Sequence, residues 1–255
     1  MRVLVTGGAG FVGSHIVDQL VDAGDEVLVV DNLSTGERAN VAADADFEEL
    51  EIEDPALLEV AKSFRPDAIT HCAAQISVTV SAADPVQDAR SNILGGINVS
   101  QAAVQSDCDQ FVYITTGGAL YGEPEYLPCD EEHPIRPISP YGLSKWTLES
   151  YLRLLLPGSI ILKVLRLANV YGPRQTPEGE SGVISIFGPR MLKGDPVTIY
   201  GDGDQTRDFV YVGDVARAQE LAQRTATSLT VNIGSGEGTS VNQIFRLMAD
   251  AAGYD

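Results

Sequence analysis

Tyr141 and Lys145 stand four residues apart in the stretch SPYGLSKWTLESYL, so a helix would place both side chains on one face. An ammonium one helical turn away favours the charged form of a phenol. A tyrosine paired in this way can act as a general base near neutral pH. Surface pairs share this spacing, so the chemistry depends on which other groups the fold brings beside these two residues.

Two adjacent hydroxyls form a second candidate group. In YITTGGALYGE (residues 113–123), an apolar strand pattern ends in Thr115 and Thr116, and Gly117 and Gly118 follow directly. The hydroxyls could cap a turn, or they could hydrogen-bond to a substrate while the glycines leave room beside it. The rest of the chain has to decide between these two interpretations.

A glycine-rich loop near the start of the chain predicts a phosphate site. Gly7, Gly10 and Gly13 follow the first strand pattern, open a helix pattern and are spaced as G-x-x-G-x-x-G. In this context glycines permit a tight turn, let a pyrophosphate approach the backbone and let the helix pack closely on the sheet. The second strand pattern ends in Asp31, whose carboxylate would accept hydrogen bonds from a ribose diol and repel a 2′-phosphate. These residues predict NAD rather than NADP as the cofactor.

Strand patterns alternate with helical periodicities through the first two-thirds of the chain. Strands are predicted at 2–6, 26–30, 67–72, 110–115 and 159–167, and helices at 11–23, 55–64, 85–105 and 140–156. This alternation predicts an α/β fold with a doubly wound parallel sheet, Rossmann-like, covered by helices on both faces. Residues 1–168 would form an NAD-binding domain. Residues 169–255 would form a small C-terminal substrate-binding lobe, interleaved with the last elements of the sheet.

The predicted lobe is rich in Gly and Pro between residues 170 and 212. Within it, PVTIY (196–200) has the alternation of a short strand. Further on, VGDVARAQELAQ (212–223) predicts a helix capped by Asp214, LTVNI (229–233) predicts a strand, and residues 241–253 predict an amphipathic helix.

Four motifs, in the same order, resemble the extended short-chain dehydrogenase/reductase superfamily: TGGAGFVGSH, SPYGLSK, NVYGPRQ and GDGDQTRDFVYVGDV. Within that superfamily the chain is most similar to NAD-dependent sugar-nucleotide epimerases of the UDP-glucose 4-epimerase type. The resemblance covers essentially the whole chain. It implies NAD-dependent 4-epimerisation of a UDP-hexose through a transient 4-keto intermediate.

Two alternatives stay open at this point. One is another sugar-nucleotide oxidoreductase or decarboxylase on the same scaffold, and the other is a non-catalytic NAD-binding paralogue. Dehydration is disfavoured, because Gly117 and Gly118 stand where that branch of the family carries an acidic pair.

The resemblance also implies the catalytic roles. Tyr141 would be the general base, Lys145 would bind the cofactor ribose and favour the phenolate, and a Ser or Thr hydroxyl would bind the reacting oxygen. In many relatives three residues separate this hydroxyl from a Tyr-Gly pair, whereas four separate Thr116 from Tyr121 here. Counting forward from the strand selects Thr116, with Thr115 as the second choice.

The remaining contacts implied by the resemblance are larger sets. The cofactor contacts come from the glycine loop, the end of the second strand and the walls of the cleft: Gly7, Gly10, Phe11, Val12, Gly13, Asp31, Asn32, Ser34, Thr35, Gly36, Glu51, Ile52, Ala73, Ala74, Gln75, Asn92, Tyr141 and Lys145. The substrate contacts are Thr116, Asn169, Val183, Thr198, Tyr200 and Arg207. Arg207 would neutralise the diphosphate, and Asn92 would support the active-site helix.

The chain departs from the family pattern at three points. Leu167 stands where many relatives have an aromatic residue, and the lysine that many carry near position 76 is absent. Relatives also usually run several dozen residues further, with a second arginine for the diphosphate. The resemblance therefore implies that this chain is truncated at the C-terminus or is a naturally short form.

Composition excludes some partners. The 255 residues include 36 Asp and Glu against 17 Lys and Arg, a net charge of −19, which disfavours nucleic acid binding. The excess fits a well-solvated acidic surface, and adaptation to high salt is the more specific interpretation. No apolar run is long enough to cross a bilayer.

The cysteines and the surface helices predict location and assembly. Three widely spaced cysteines form neither a metal motif nor a disulfide framework, so we expect no metal and a reducing, cytoplasmic compartment. The resemblance implies a homodimer in which the helices at 85–105 and 140–156 of each copy pair. Apolar residues at Leu148, Tyr151, Leu152 and Leu155 would contribute to that interface.

Overall fold

A seven-stranded parallel sheet forms the centre of the molecule. The computed structural model describes residues 1–176 and 182–254. Within them the strands are β1 (Arg2–Thr6), β2 (Glu26–Asp31), β3 (Asp46–Glu49), β4 (Ala68–His71), β5 (Gln110–Thr116), β6 (Ile161–Leu167), β7 (Asn169–Tyr171), β8 (Thr206–Arg207), β9 (Phe209–Tyr211), β10 (Leu229–Ile233) and β11 (Thr239–Ser240). The main sheet has the order β3-β2-β1-β4-β5-β6-β10, and each neighbouring pair is parallel.

Helices cover both faces of this sheet. They are α1 (Phe11–Asp22), α2 (Ala56–Phe64), α3 (Val78–Ala83), α4 (Pro85–Ala89), α5 (Gly96–Gln105), α6 (Gly117–Leu120), α7 (Pro140–Leu155), α8 (Val183–Lys193), α9 (Val212–Gln223) and α10 (Val241–Ala252). Successive strand residues face opposite sides, so Val3 and Val5 pack with α1 and α9, while Leu4 packs with α2, α5 and α7. The predicted Rossmann-like α/β fold is confirmed.

The order of the strands determines where a ligand can bind. Successive strands step outward from β1 to β2 and β3 on one side, and from β4 to β5 and β6 on the other. The loops after β1 and β4 therefore diverge, and the crevice between them opens at the carboxyl ends of the strands.

A buried ion pair attaches α7 to the sheet. The guanidinium of Arg166, on β6, donates to both carboxylate oxygens of Glu149, on α7, at 2.8 and 3.3 Å. Both side chains are buried. Arg166 also donates to the Tyr121 hydroxyl at 3.1 Å, and that hydroxyl donates to Asn232 of β10 at 2.7 Å. This bidentate pair fixes the position of the helix that carries Tyr141 and Lys145.

The predicted helix at 85–105 is confirmed, with a π-helical stretch (Arg90–Gly95) between α4 and α5. Two other sequence predictions about local structure were wrong. PVTIY pairs with no strand among the described residues: Pro196 lacks an N–H donor, and glycines follow at 201 and 203. Asp214 lies in the first turn of α9 rather than at its N-cap, which is Tyr211.

The predicted C-terminal lobe (residues 169–255), called the smaller lobe below, is a region of short elements outside the main sheet, apart from β10. It contains the two-stranded pairs β7–β9 and β8–β11 and the helices α8 and α10. The strand β10 lies in the same part of the chain but completes the main sheet. The sequence indicated neither α8 nor the small strand pairs. No helix of the described residues is long and apolar enough to cross a membrane.

Candidate active site

A cleft at the carboxyl edge of the sheet brings together the three groups selected from the sequence. Its lining comes from the ends of β1 to β6 and the loops after them, from the start of α1 and of α7, from the π-helical stretch and from β7: Gly7, Gly10, Phe11, Val12, Gly13, Asp31, Asn32, Ser34, Thr35, Leu50, Glu51, Ile52, Glu53, Cys72, Ala73, Ala74, Ile76, Ser91, Ile114, Thr115, Thr116, Tyr141, Lys145, Leu167, Ala168 and Val170. The glycine loop and Thr116, Tyr141 and Lys145 therefore belong to one continuous surface.

The glycine loop is shaped by close backbone contacts. Gly7 has a φ of +72°, and a Cβ there would lie 2.5 Å from the Ala73 nitrogen. A Cβ on Gly13 would lie 2.1 Å from the Gly7 carbonyl oxygen, so only glycine lets α1 start this close to the loop. The first turn of α1 faces the cleft, and its free N–H groups are placed to bind a pyrophosphate.

Asp31 closes the other side of the loop. Its buried carboxylate accepts the Ala9 N–H at 2.9 Å and the Leu33 N–H at 2.9 Å. These bonds hold both oxygens in place while leaving lone pairs for a ribose diol. Lys145 is the one lysine or arginine that lines the cleft among the described residues, so the lining offers no arginine beside Asp31 to bind a 2′-phosphate.

Lys145 is a buried cation without an ion-pair partner among the described residues. Its Nζ donates to the carbonyl oxygen of Ile114 at 3.1 Å and lies 4.6 Å from the centre of the Tyr113 ring. Burial lowers the pKa of Lys145 to about 8, partly offset by Cys72 and Asp88 nearby. The ammonium therefore has donors to spare for a cofactor ribose.

The two threonine hydroxyls have different environments. Thr116 is half-buried, and its Oγ1 accepts the N–H of Ala119 at 3.3 Å, which caps the short helix α6. Thr115 is 4% exposed, and its Oγ1 makes no hydrogen bond of normal geometry with the described residues, although it approaches the Tyr113 phenol. Both residues line the cleft, so the structure keeps Thr115 as a rival for the catalytic hydroxyl.

The start of α7 is held by residues that the sequence gave no reason to select. The N–H of Tyr141 donates to Ser81 Oγ at 3.1 Å, and Ser81 is fully buried on α3. Helix α3 has neither a long apolar period nor a strong cap signal in the sequence, although the Ser77 side chain accepts the Val80 N–H at its start. Contacts of this kind depend on tertiary packing and leave no local signal.

Three predicted cofactor residues lie behind the cleft rather than in its lining. A Cβ on Gly36 would lie 2.8 Å from the Ala9 carbonyl carbon, so this residue packs against the glycine loop. Asn92, on the π-helical stretch, accepts the Gln75 N–H at 2.9 Å and donates to Ser144 of α7 at 3.1 Å. Gln75 and Asn92 thus connect the loop after β4 to the active-site helix.

The predicted substrate residues other than Thr116 lie on the smaller lobe, outside the lining of the cleft. Asn169 donates to the Asp208 carbonyl at 3.2 Å, and Val183 begins α8. Thr198, Tyr200 and Arg207 are exposed, and the Arg207 guanidinium donates only to the adjacent Thr206 carbonyl among the described residues.

Several lining residues were missed from the sequence. Ala168 directly follows β6, so the rule that strand ends meet at one edge could have selected it, and Val170 lies just beyond, in β7. Ser91 and Glu53 come from helix and loop positions that carry no such signal. Cys72 also lines the cleft, but burial raises the pKa of its thiol to about 12, so it is not a nucleophile.

Comparisons with known proteins agree with this architecture. The model of the NAD dependent epimerase/dehydratase family matches residues 3–234. The UDP-glucose 4-epimerase of Mycolicibacterium smegmatis is 39% identical to this chain over an alignment of 260 positions, which covers 99% of this chain and 83% of that protein. Two solved structures are each 46% identical to this chain, and the matched region covers 100% of this chain and 84% of each solved chain. They are the UDP-glucose 4-epimerase of Thermotoga maritima with UDP-glucose, at a TM-score of 0.96, and that of Thermus thermophilus with NAD, at 0.94.

The chain therefore belongs to the NAD dependent epimerase/dehydratase family, and the resemblance drawn from its motifs is confirmed. Its cofactor is NAD, as Asp31 and the glycine loop predicted. The cleft fits this dinucleotide because a glycine-lined helix start, the Asp31 carboxylate and a buried cation occur along one surface.

We expect the purified protein to bind NADP at least about a hundredfold more weakly than NAD. Two like charges at about 4 Å near a protein surface repel by roughly 4 kcal/mol, and 1.4 kcal/mol is a factor of ten. Titration calorimetry with both dinucleotides measures the ratio. Similar affinities for NAD and NADP would mean that Asp31 does not face the 2′ position.

We expect Lys145→Met to stabilise the cofactor-free protein at pH 7. Burial lowers the folded-state pKa of Lys145 from 10.5 to about 8, so the folded state disfavours the ammonium below pH 8, and this cost fades as pH rises towards 10.5. The variant should gain up to about 3 kcal/mol at pH 7, and the gain should shrink in alkaline solution. Urea unfolding from pH 7 to 10.5 provides the measurement. The exposed Lys62→Met is the control, and a destabilised Lys145→Met at pH 7 would contradict the account.

Proposed function

We propose that Thr116, Tyr141 and Lys145 are the groups with which this chain carries out NAD-dependent 4-epimerisation of a UDP-hexose. The observation that carries the proposal is their convergence on the cleft that also contains Asp31 and the glycine loop. The chain is an isomerase in net effect, since the sugar is oxidised and then reduced within one site.

The first half of the reaction needs a proton acceptor at the C4 hydroxyl. Tyr141, as the phenolate, accepts this proton through the Thr116 hydroxyl, whose oxygen is fixed by the Ala119 N–H while its own hydrogen stays free to donate. Lys145, one turn further along α7, supplies the positive charge that favours the phenolate. Bound in the cleft, NAD would supply the hydride acceptor for C4 in this half of the reaction and the hydride donor in the second half.

The second half reverses these steps. Once the 4-keto sugar has turned over, Tyr141 returns the proton through Thr116 to the new C4 oxygen. The chain must therefore keep its base and its hydroxyl fixed while the sugar moves. The Arg166–Glu149 pair and the Ser81 contact to Tyr141 provide this rigidity, because they attach α7 to β6 and to α3.

The uridine diphosphate would be bound by the smaller lobe. Arg207 is exposed there and has guanidinium donors left for a diphosphate. Asn169, Val183, Thr198 and Tyr200 would contact the remainder of the nucleotide sugar. This assignment rests on the resemblance to epimerases alone, because these residues lie outside the lining of the cleft.

The assembly that we propose is a homodimer in the cytoplasm. The three cysteines are free thiols, which fits a reducing compartment. Two of the residues expected at the interface, Leu148 and Leu152, are buried in the chain's own core, so that part of the prediction was wrong. The other two expected residues, Tyr151 and Leu155, are exposed. Together with the exposed Leu143 and Leu154 on α7, and Val86 and Leu94 before α5, they supply the apolar surface that supports the proposed interface.

Tyr141→Phe should abolish turnover and leave NAD bound, because only the proton acceptor is removed. Loss of a general base typically costs about 10²–10⁴-fold in rate. Interconversion of UDP-glucose and UDP-galactose followed by NMR tests turnover, and release of dinucleotide from the denatured protein tests occupancy. Near-normal turnover in this variant would place the base elsewhere.

Thr116→Val should lower turnover by one to three powers of ten, in the range for one lost positioned donor, about 2.7–4 kcal/mol at most. Thr116→Ser should keep much of the activity, and Thr115→Val should cost far less, because the proposal gives the contact with the C4 oxygen to the Thr116 hydroxyl. The test is the steady-state rate of epimerisation by these three variants, compared with the wild type. If Thr115→Val lost its turnover while Thr116→Val stayed active, the catalytic hydroxyl would be that of the buried Thr115.

Light scattering at micromolar protein and high salt should give twice the mass of the chain. Leu154→Glu, at a position 83% exposed in one copy, should shift the protein to monomer, because a charge would be buried in the apolar contact. Leu247→Glu on α10 is the matched control, since that leucine is 63% exposed on another helix. A monomeric wild-type protein would exclude the proposed interface.

A further inference from the structure

Gly117 and Gly118 are glycines that the fold itself does not require. Neither has a positive φ, in contrast to Gly7 or Gly122. Both lie in the regular turn of α6, where glycine is less favourable than alanine. Neither approaches a neighbour so closely that a Cβ would clash. Neither the backbone conformation nor the packing of the chain therefore explains why both of these residues are glycine.

The two positions nevertheless point in different directions. A Cβ on Gly117 would face the sheet, at 3.5 Å from the Leu167 carbonyl oxygen and 3.6 Å from the Tyr121 ring, which are ordinary contacts. A Cβ on Gly118 would stand 3.8 Å from Thr116 Oγ1, with no other neighbour within 4 Å among the described residues outside its own turn. Gly118 is exposed and lies next to Thr116 but outside the lining of the cleft, so its missing side chain leaves free space on the open side of the hydroxyl proposed to bind the C4 oxygen.

The chemistry of the sugar indicates what occupies that space. The neighbours of C4 are C3, which carries a hydroxyl, and C5, which carries the hydroxymethyl group of a hexose. Turning the ring over while C4 stays at the same hydroxyl exchanges the C3 side with the C5 side. Each turnover therefore brings the hydroxymethyl group past Thr116 in one of the two orientations.

We infer that Gly118 is a specificity-determining residue, and that the space beside it admits the C5 hydroxymethyl group of a hexose in one orientation of the ring. The inference rests on the proposed role of Thr116. Both epimers of a hexose need this space, because each catalytic cycle passes through both orientations. A pentose such as xylose has no substituent at C5 and does not need it.

The test compares Gly118→Ala with Gly117→Ala. Both changes improve helix propensity, so both should raise Tm by about 2 °C. Only the Gly118 methyl enters the space beside Thr116. Excluding one carbon-sized group from a binding site is worth about 10–200-fold in discrimination. We therefore expect Gly118→Ala to lose at least about tenfold in kcat/KM with UDP-glucose and with UDP-galactose, and Gly117→Ala to stay within about threefold of the wild type.

The pentose pair UDP-xylose and UDP-arabinose supplies the second comparison. Gly118→Ala should convert these 4-epimers as well as the wild type does, or, where their turnover is too slow, should keep the inhibition constant of UDP-xylose within about twofold. Equal losses on hexose and pentose, or equal effects of the two alanine variants, would overturn the inference.

Thr116→Val, assayed beside these variants, separates this inference from the assignment of the site. An active Thr116→Val would reject the proposed role of Thr116 and the inference built on it. A crippled Thr116→Val, together with a Gly118→Ala that resembles Gly117→Ala, would leave the site standing and reject only the role of Gly118.

Discussion

The parallel alignment of the sheet is the constraint on which the site depends. Because every strand of the main sheet runs the same way, the chain leaves each strand at the same edge, and helices must return it to the other. Asp31 ends β2, Thr116 ends β5 and Ala73 lies two residues after β4, so these residues meet at one edge of the sheet although they are far apart in sequence. The reversal of strand order between β1 and β4 then opens the crevice into which they project.

Closing that crevice with α7 has an energetic cost. The helix carries Lys145 into the interior, where the ammonium has a carbonyl and an aromatic ring as neighbours and no carboxylate at ion-pair distance among the described residues. The Arg166–Glu149 pair anchors the same helix two turns beyond Tyr141. The fold thus stabilises α7 away from the cleft and keeps a destabilised cation within it, a distribution typical of a site prepared for a ligand.

Much of this could be predicted from the sequence, because the signals are local. Strand patterns, the glycine loop and the position of Asp31 each express short-range geometry, and together they predict the sheet and the NAD site. Ser81, the buried hydroxyl of Thr115 and the direction of a Cβ at Gly118 could not be predicted, since they depend on how distant segments pack. The alternation of PVTIY was misleading for the same reason: a strand needs a partner, and its own residues do not encode one.

The central claim is that the hydrogen removed from C4 stays inside one closed site and returns to the same carbon. UDP-glucose deuterated at C4 tests this most directly, with the UDP-galactose formed analysed by NMR and mass spectrometry in the presence of excess unlabelled NAD. The account predicts that the product keeps its deuterium at C4 and that none appears in solvent or in free dinucleotide. Loss of the label to water would contradict it, because C4 would then exchange a proton rather than a hydride.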